Sequence, residues 1–282
     1  MNASRIKIWL ISVALLVGAA LWFADRKGPD KVSGEIPSSS VAKNKAITVD
    51  WISYCDSVIA SPALANHPEL KKMYAAIHAE KVDSSVYDSV ANILLKSQSP
   101  LAAATVYLLK AQATSMAGDW AIEAESFYRA SRFTKGNLST AAMQEAVSGF
   151  RKASELAPKN LKFKTLLGSA IVESSPNPME GITLLREVVA QDSTFVDAQV
   201  QLALFAVQSG QFDKAINRLQ KVIKMRPDFF VAYLYLGQAY QQSGNIPQAI
   251  ESLEKYRNEI NDPALRDEVQ KYIEQLKKPS NS

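Results

Sequence analysis

The sequence predicts an all-α protein, a solenoid of repeated helical hairpins that follows one N-terminal apolar helix. Three observations support this prediction. Small residues recur at a fixed interval in the C-terminal half, glycine-containing turns separate the apolar runs there, and no charged residue occurs between Ile8 and Ala24. Hairpins that recur at a fixed length stack on their neighbours and share one continuous core.

The composition is that of a folded chain with few special requirements. Apolar residues make up 47% of the 282 residues and charged residues 21%, so the chain can build a core. The net charge of +4 comes from basic residues interspersed with acidic ones, a pattern that disfavours nucleic acid as a partner. Cys55 is the single cysteine, which excludes an intramolecular disulfide and is typical of a small buried apolar residue.

Residues 1–27 are predicted to be a membrane anchor. The uncharged run 8–24 is about as long as the shortest spanning helices, and Arg5, Lys7, Arg26 and Lys27 flank it. A cleaved signal peptide is the alternative, because a charged start and a short apolar core are shared by both kinds of segment. The order of charges favours a single-pass protein whose repeats are periplasmic or otherwise extracytoplasmic, although the basic residues on the two sides are nearly balanced.

Residues 28–46 are rich in Gly, Pro, Ser and Lys and show no helical period, which predicts a flexible linker. Residues 47–118 are predicted to be helical but without a clear repeat. Ser99 and Pro100 form a helix-start signal within that part.

Three repeats are predicted at 161–195, 196–229 and 230–262, here called repeats 1, 2 and 3. Two sets of positions recur at intervals of 34: Gly181, Ala215 and Ala249, and Leu185, Leu219 and Leu253. Small residues at Gly168, Ala203 and Gly237 let the two helices of a hairpin approach closely, while Gly210 and Gly244 suit helix C-termini. Repeat 1 departs from the pattern through an extra residue in its turn and through glycine at position 181.

These repeats resemble the tetratricopeptide repeat (TPR) family, whose unit length is also 34. Repeat 3 has Leu236-Gly237 and Tyr240 on its first helix, and Ala249 and Leu253 on its second. The layout is similar to that of bacterial envelope proteins with one anchor and a TPR domain. The resemblance implies a protein or peptide partner bound in a groove that is lined by the first helix of each repeat.

The resemblance weakens towards both ends. Residues 263–277 are predicted to be one amphipathic helix that caps the array, with Asp262 as its N-cap. Residues 119–160 are predicted to be a degenerate repeat. Two registers are open there, because the helix from Asp119 to Phe133 fits either the first helix of that repeat or the second helix of an earlier one.

Residues that carry chemistry are sparse. His67, His78 and Cys55 lack the spacing of a metal site, and no phosphate-binding loop or nucleophile motif occurs. The sequence therefore predicts a protein that is not an enzyme and has no cofactor, metal or small-molecule substrate.

The TPR resemblance implies which residues line the groove. In repeat 1 the matching positions are Lys162, Thr165, Ser169, Val172 and Glu173; of these, Lys162 alone fits the family's carboxylate clamp. The candidate peptide groove comprises Val172, Asp197, Val200, Leu204, Val207, Gln208, Leu234, Gln238 and Gln241. Val200, Leu204 and Val207 share one helix face, which suits an apolar or amphipathic segment unless neighbouring repeats or residues 49–117 cover that face.

The preferred interpretation is a membrane-tethered adaptor, scaffold or chaperone-like subunit of the cell envelope that binds proteins through this groove. A self-associating or permanent structural subunit that uses its outer surface is the alternative, and an enzyme with an unrecognised site is a third class.

Overall fold

The computed structural model describes residues 48–79 and 82–278, and all of their regular structure is helical. The predicted anchor at 8–24 and the linker at 28–46 lie outside these residues and stay predictions. Among the residues that the structure describes, no helix combines the length and apolar character needed to cross a bilayer.

Thirteen α-helices occur in the described part of the chain, and a short 3₁₀ turn, Pro62–Leu64, separates the first two. They are α1 (Trp51–Ala60), α2 (Pro68–Ala79), α3 (Ser84–Lys96), α4 (Pro100–Thr114), α5 (Ala117–Phe133), α6 (Asn137–Leu156), α7 (Leu161–Ser174), α8 (Met179–Gln191), α9 (Val196–Gln208), α10 (Phe212–Met225), α11 (Val231–Gln242), α12 (Ile246–Asn258) and α13 (Pro263–Lys277).

Local sequence signals explain where several helices begin. Asp50, Asp83 and Asn160 each precede a helix, and their side chains accept hydrogen bonds from first-turn amides. Such caps satisfy amide groups that have no partner within the helix. Pro100 opens α4 at the predicted start signal, where its missing N–H costs nothing.

The helices fall into two compact units by their packing. Among the described residues, the main unit begins at residue 48 and ends at Tyr256, and the C-terminal unit begins at Arg257. In the main unit consecutive helices pack on each other, including α5 on α6, α7 on α8 and α9 on α10. Leu185, Leu219 and Leu253 are each no more than 1% exposed, so these residues of the 34-residue period belong to the core.

The turns between paired helices contain glycines at the predicted helix C-termini. Gly210 and Gly244 follow the first helices of repeats 2 and 3 and have φ of +71° and +82°. A side chain would strain this left-handed backbone, which glycine adopts readily. Repeat 1 has the longer turn that was predicted, because α7 ends at Ser174 and α8 begins only at Met179.

The small residues at the hairpin contacts are buried as predicted. A Cβ atom at Gly237 would lie 2.9 Å from the Leu253 Cγ atom and 3.2 Å from the Ala249 carbonyl oxygen. In repeat 1 the two helices meet at Gly168 and Gly181, and a Cβ at Gly168 would lie 2.9 Å from the Gly181 carbonyl oxygen. This backbone contact explains why repeat 1 has glycine at position 181.

The C-terminal unit contains α13, which has the bounds predicted for the capping helix. The Asp262 carboxylate accepts hydrogen bonds from the amides of Ala264 and Leu265 at 2.9 and 3.3 Å. Arg266 donates to the Ile260 carbonyl oxygen and braces the turn before the helix. The helix is therefore confirmed, whereas its role as a cap stays a prediction.

Candidate functional site

A cleft of about 450 Å³ lies in the main unit, between the first helices of successive hairpins. Helices α5, α7, α9 and α11 supply nearly all of its lining. The lining residues are Glu125, Tyr128, Arg129, Phe150, Lys162, Thr165, Leu166, Ser169, Ala170, Glu173, Asp197, Val200, Gln201, Phe229 and Tyr235. We call this feature the α7 cleft, because α7 supplies the largest share of these residues.

The floor of the α7 cleft is apolar. Phe150, Leu166, Ala170 and Val200 contribute aliphatic and aromatic surface, and all except the half-buried Leu166 are buried. Their burial in the core gives the floor a fixed shape.

Small side chains on α7 deepen the cleft between its walls. The Thr165 hydroxyl donates to the Leu161 carbonyl oxygen at 2.8 Å, and the Ser169 hydroxyl donates to the Thr165 carbonyl oxygen at 2.9 Å. Because their hydrogens are used within the helix, these residues offer a bound segment mainly carbon surface.

The rim of the α7 cleft carries both signs of charge. Lys162 and Asp197 are exposed at the first turns of α7 and α9, and Glu125 and Arg129 project from α5. Gln201 adds an uncharged amide. A segment with apolar side chains on one face and polar groups along its edges suits this combination.

A polar cluster that includes two lining residues of the α7 cleft joins α5 to α7. The Tyr128 hydroxyl donates to one Glu173 carboxylate oxygen at 2.7 Å, and Arg132 donates to the other at 2.7 Å. The Arg132 guanidinium also lies 4.9 Å from the centre of the Tyr128 ring. Burial raises the pKa of the Tyr128 hydroxyl, with the Glu173 charge as a further cause, so this donor keeps its proton at neutral pH.

The structure brings part of the predicted groove together in this cleft. Asp197 and Val200 line it, as do four predicted inner-face positions of repeat 1: Lys162, Thr165, Ser169 and Glu173. The remaining candidates, Val172, Leu204, Val207, Gln208, Leu234, Gln238 and Gln241, do not line it.

The predicted apolar stripe on α9 is largely covered by neighbouring helices. Val200 and Val207 are each 6% exposed, and half-buried Leu204 packs in a cluster with Val222 and Ala232. Val172 packs towards the second helix of its own hairpin, at Gly181. Neighbouring repeats therefore cover this stripe, which is one of the two alternatives that the sequence left open. No described residue before Glu125 lines the α7 cleft.

Sequence reasoning missed the contribution of α5. Glu125, Tyr128 and Arg129 recur at helical spacing and face the same cleft as α7 and α9. A helix in this position is the first of its hairpin, which settles the register of residues 119–160: α5 and α6 form the pair. The spacing of these residues is visible in the sequence, but it could not identify a cleft-facing helix while both registers of residues 119–160 were possible.

The lone thiol lies away from the cleft. Cys55 is buried in the core of the N-terminal helices, and its thiol lies 3.6 Å from the Ala102 carbonyl oxygen. Burial raises the pKa of Cys55 to about 11, so the nucleophilic thiolate is scarce at neutral pH. In the described part of the chain no cluster of His, Cys, Asp and Glu has the arrangement of a metal site.

Fold and cleft define a helical-repeat protein. Residues 206–270 match the family model described as tetratricopeptide repeat, which supports TPR family membership. The TPR fold generally serves as a scaffold for protein–protein interaction. A comparison with curated proteins gives no match.

Solved TPR structures share the fold. A TPR protein of Parabacteroides merdae is 13% identical, with 80% of this chain and 84% of that chain covered and a TM-score of 0.58. PilW, a type IV pilus biogenesis factor, is 18% identical over 68% and 85%, with a TM-score of 0.52. A thermophilic TPR protein of Thermus thermophilus is 14% identical over 69% and 98%, with a TM-score of 0.50.

Proposed function

We propose that this chain is a membrane-tethered scaffold that binds a segment of another protein in the α7 cleft. The observation that carries the proposal is the cleft itself, which has an apolar floor, small side chains on α7 and a polar rim. The fold supports it, because TPR hairpins generally act in protein–protein interaction.

The chemistry of the cleft indicates what kind of segment it takes. A C-terminal carboxylate calls for several cationic and amide groups converging on one point, but Lys162 faces a rim that also holds Asp197 and Glu125. An amphipathic helix or extended peptide fits better, because its apolar side chains cover Leu166 and Val200 while its polar edges meet both charges.

The tether is proposed from the N-terminal sequence. The uncharged run from Ile8 to Ala24 supports an anchor, and an extracytoplasmic position in the cell envelope follows from the order of charges around it. An anchored protein stays in the membrane pellet after extraction with high salt or alkali. A mature protein that begins near Leu21 or Asp25 in the soluble fraction would show a cleaved signal peptide instead.

Site-specific photo-crosslinking in the full-length protein tests the cleft. We expect a photoreactive phenylalanine at Gln201, on the rim, to crosslink a discrete partner band in native membranes. The same group at Gln144, which is exposed on α6 and outside the lining, is the matched control and should give no such band. Equal crosslinking from both positions would exclude the α7 cleft as the binding site.

Self-association is the second candidate, favoured by large apolar side chains that remain exposed outside the cleft. Phe133 is 65% exposed and Met116 is 62% exposed, at opposite ends of α5. The mass of the detergent-solubilised protein, measured by light scattering over a range of concentrations, separates the two ideas. A constant monomer mass disfavours an obligate assembly, and a crosslink from Gln201 to a second copy of the chain would favour it.

A further inference from the structure

Helix α10 has a basic face opposite its buried face. Lys214, Arg218, Lys221 and Lys224 fall within about a third of the helix circumference, by the 3.6-residue period. The opposite arc contains Ala215, Ile216, Leu219 and Val222, which are buried in the main unit. The three lysines are exposed, and Arg218 is half-buried. We call these four residues the basic face of α10.

In the part of the chain that the structure describes, the cations of this face form no ion pair with a carboxylate. The Lys214 ammonium donates to the Gln211 amide oxygen at 2.7 Å, and the Arg218 guanidinium donates to the Gln199 amide oxygen at 2.6 Å; both acceptors are neutral. Within the described residues, no carboxylate oxygen lies within 4.0 Å of a charged nitrogen of Lys214, Arg218, Lys221 or Lys224. The one acidic residue of α10 is Asp213, at its first turn.

A fifth cation adds to the same sign of charge. Arg186 of α8 is exposed and also makes no ion pair within the described residues. Burial lowers the pKa of Arg218, and the charge of Arg186 lowers it further, so the two guanidinium groups repel each other. An anionic partner would relieve this repulsion.

Some cations elsewhere on the main unit do form ion pairs. Arg151 pairs with Glu180 at 2.8 Å, and Lys255 pairs with Glu251 at 2.7 Å. Arg226, just beyond the end of α10, pairs with Asp228 at 2.9 Å. Exposed lysines such as Lys71 and Lys72 also make no ion pair within the described residues, so the basic face is distinguished by the grouping of its cations on one side of one helix.

We propose that the basic face of α10 binds the anionic headgroup surface of a lipid bilayer, an inference that rests on the proposed membrane tether. Lysines are flexible point charges, which suit a diffuse negative surface better than a fixed bidentate contact. Contacts of this kind are individually weak and are screened by salt, so they need a partner that is held nearby. The flexible linker predicted from the composition of residues 28–46 would span roughly 25 Å on average, and such a tether would keep the bilayer at a high effective concentration.

The test uses full-length protein reconstituted in lipid nanodiscs. An environment-sensitive fluorophore is attached at Asn217→Cys, an exposed position in the middle of the basic face, while the buried native Cys55 stays unlabelled. We expect its emission to shift to the blue in discs with about one third phosphatidylglycerol but not in discs of phosphatidylcholine alone. Salt at about 1 M, where the Debye length is about 3 Å, should reverse the shift. The same label at Gln144→Cys is the position control and should not respond.

A charge-reversal variant tests which residues are responsible. The combined change Lys214→Glu, Lys221→Glu and Lys224→Glu should abolish the shift, whereas Lys71→Glu, Lys72→Glu and Lys96→Glu, which changes the net charge equally at exposed sites elsewhere, should preserve it. Matching melting temperatures show that both triple variants are folded. Emission that is equal in the two lipids, or a shift retained by the first variant, overturns the proposal.

The remaining outcomes separate the proposal from its rivals. If polyglutamate or single-stranded DNA shifts the emission in neutral discs more than anionic lipid does, the face belongs to an acidic protein or a nucleic acid and the lipid proposal is wrong. If alkali releases the protein from the discs, the tether has failed. Salt-reversible binding of the released protein to phosphatidylglycerol vesicles then tests lipid binding by the basic face independently of the tether.

Discussion

The hairpins α5–α6 and α7–α8 both need a glycine at their helix contact, but for different reasons. In α7–α8 the glycines at 168 and 181 bring two backbones together, and a Cβ at Gly181 would collide with the Gly168 carbonyl oxygen. In α5–α6 the glycine at 149 makes room for a carboxyl group, because a Cβ there would overlap the Glu123 side chain.

The carboxyl group of Glu123 is an unusual occupant of a helix contact. Glu123 is fully buried, and neither of its carboxyl oxygens has a hydrogen-bond partner in the described structure. Burial, with the charge of the nearby Glu145 as a second cause, raises the pKa of Glu123 to about 9. The pKa of Glu145 is also raised by burial, although a hydrogen bond from Trp51 lowers it.

The comparison shows that the space beside a contact glycine can hold either the backbone of the partner helix or a buried side chain, and that the two cases affect stability differently. A contact between two backbones has no ionisable group, so the stability of the α7–α8 pair depends there on close packing alone. A buried carboxyl group must stay protonated, so the α5–α6 pair depends on pH. Three changes test this comparison.

The largest effect is expected for Gly181→Leu. The new side chain meets the Gly168 carbonyl oxygen and the Val172 backbone, neither of which can move without separating the helices. We expect a loss of about 3 kcal/mol or more in the free energy of unfolding, measured by urea denaturation. A Cβ atom at Gly118 on α5 would meet no atom of a packed neighbour within 4 Å, so Gly118→Ala is the control and should be neutral or stabilising. A Gly181→Leu variant as stable as the Gly118→Ala control would contradict the close backbone contact at position 181.

A smaller loss is expected for Gly237→Leu in the α11–α12 hairpin. Its nearest neighbour is the Leu253 side chain, which can shift in part, so we expect a loss of about 1–3 kcal/mol. Lys221→Ala on the exposed face of α10 should stay within about half a kcal/mol. Thermal melting of the two variants checks the ranking, and an equal shift in melting temperature would contradict the assigned repeat register.

The pH dependence of the free energy of unfolding should reflect the ionisation of Glu123. Its folded pKa of about 9 lies above the ordinary value of 4.5, so the folded state holds the proton more tightly. The contribution of protonated Glu123 to the free energy of unfolding is fully present below pH 4.5. It decreases as the pH rises above this value and is lost as the pH passes 9. We expect the free energy of unfolding to fall by about 2 kcal/mol between pH 6 and pH 8.

Glu123→Gln should remove most of this decline, because the amide keeps the shape of the side chain but cannot ionise. Glu125→Gln, two residues along α5 on the cleft rim, is the matched control and should keep the decline. Denaturation curves at the two pH values measure both variants. A pH dependence that persists in Glu123→Gln would assign it to another group.

The sequence by itself determined the fold class and the repeat positions. The interval of 34 singled out Leu185, Leu219 and Leu253, which the structure shows to be buried, and the turn glycines at 210 and 244 marked where helices end. These features are local or periodic, so they can be read without knowing which helices touch. The predicted N-cap at Asp262 and the start at Pro100 were likewise confirmed for the same reason.

Only the tertiary structure decided the cleft. Its residues come from helices far apart in sequence, and whether Val200 and Val207 face solvent depends on the neighbouring hairpins that cover them. The register of α5, the backbone contact behind Gly181 and the buried carboxyl of Glu123 also depend on which helix faces which. Hydrophobic periodicity shows that a helix has a buried face, but the partner of that face follows from packing across the whole array.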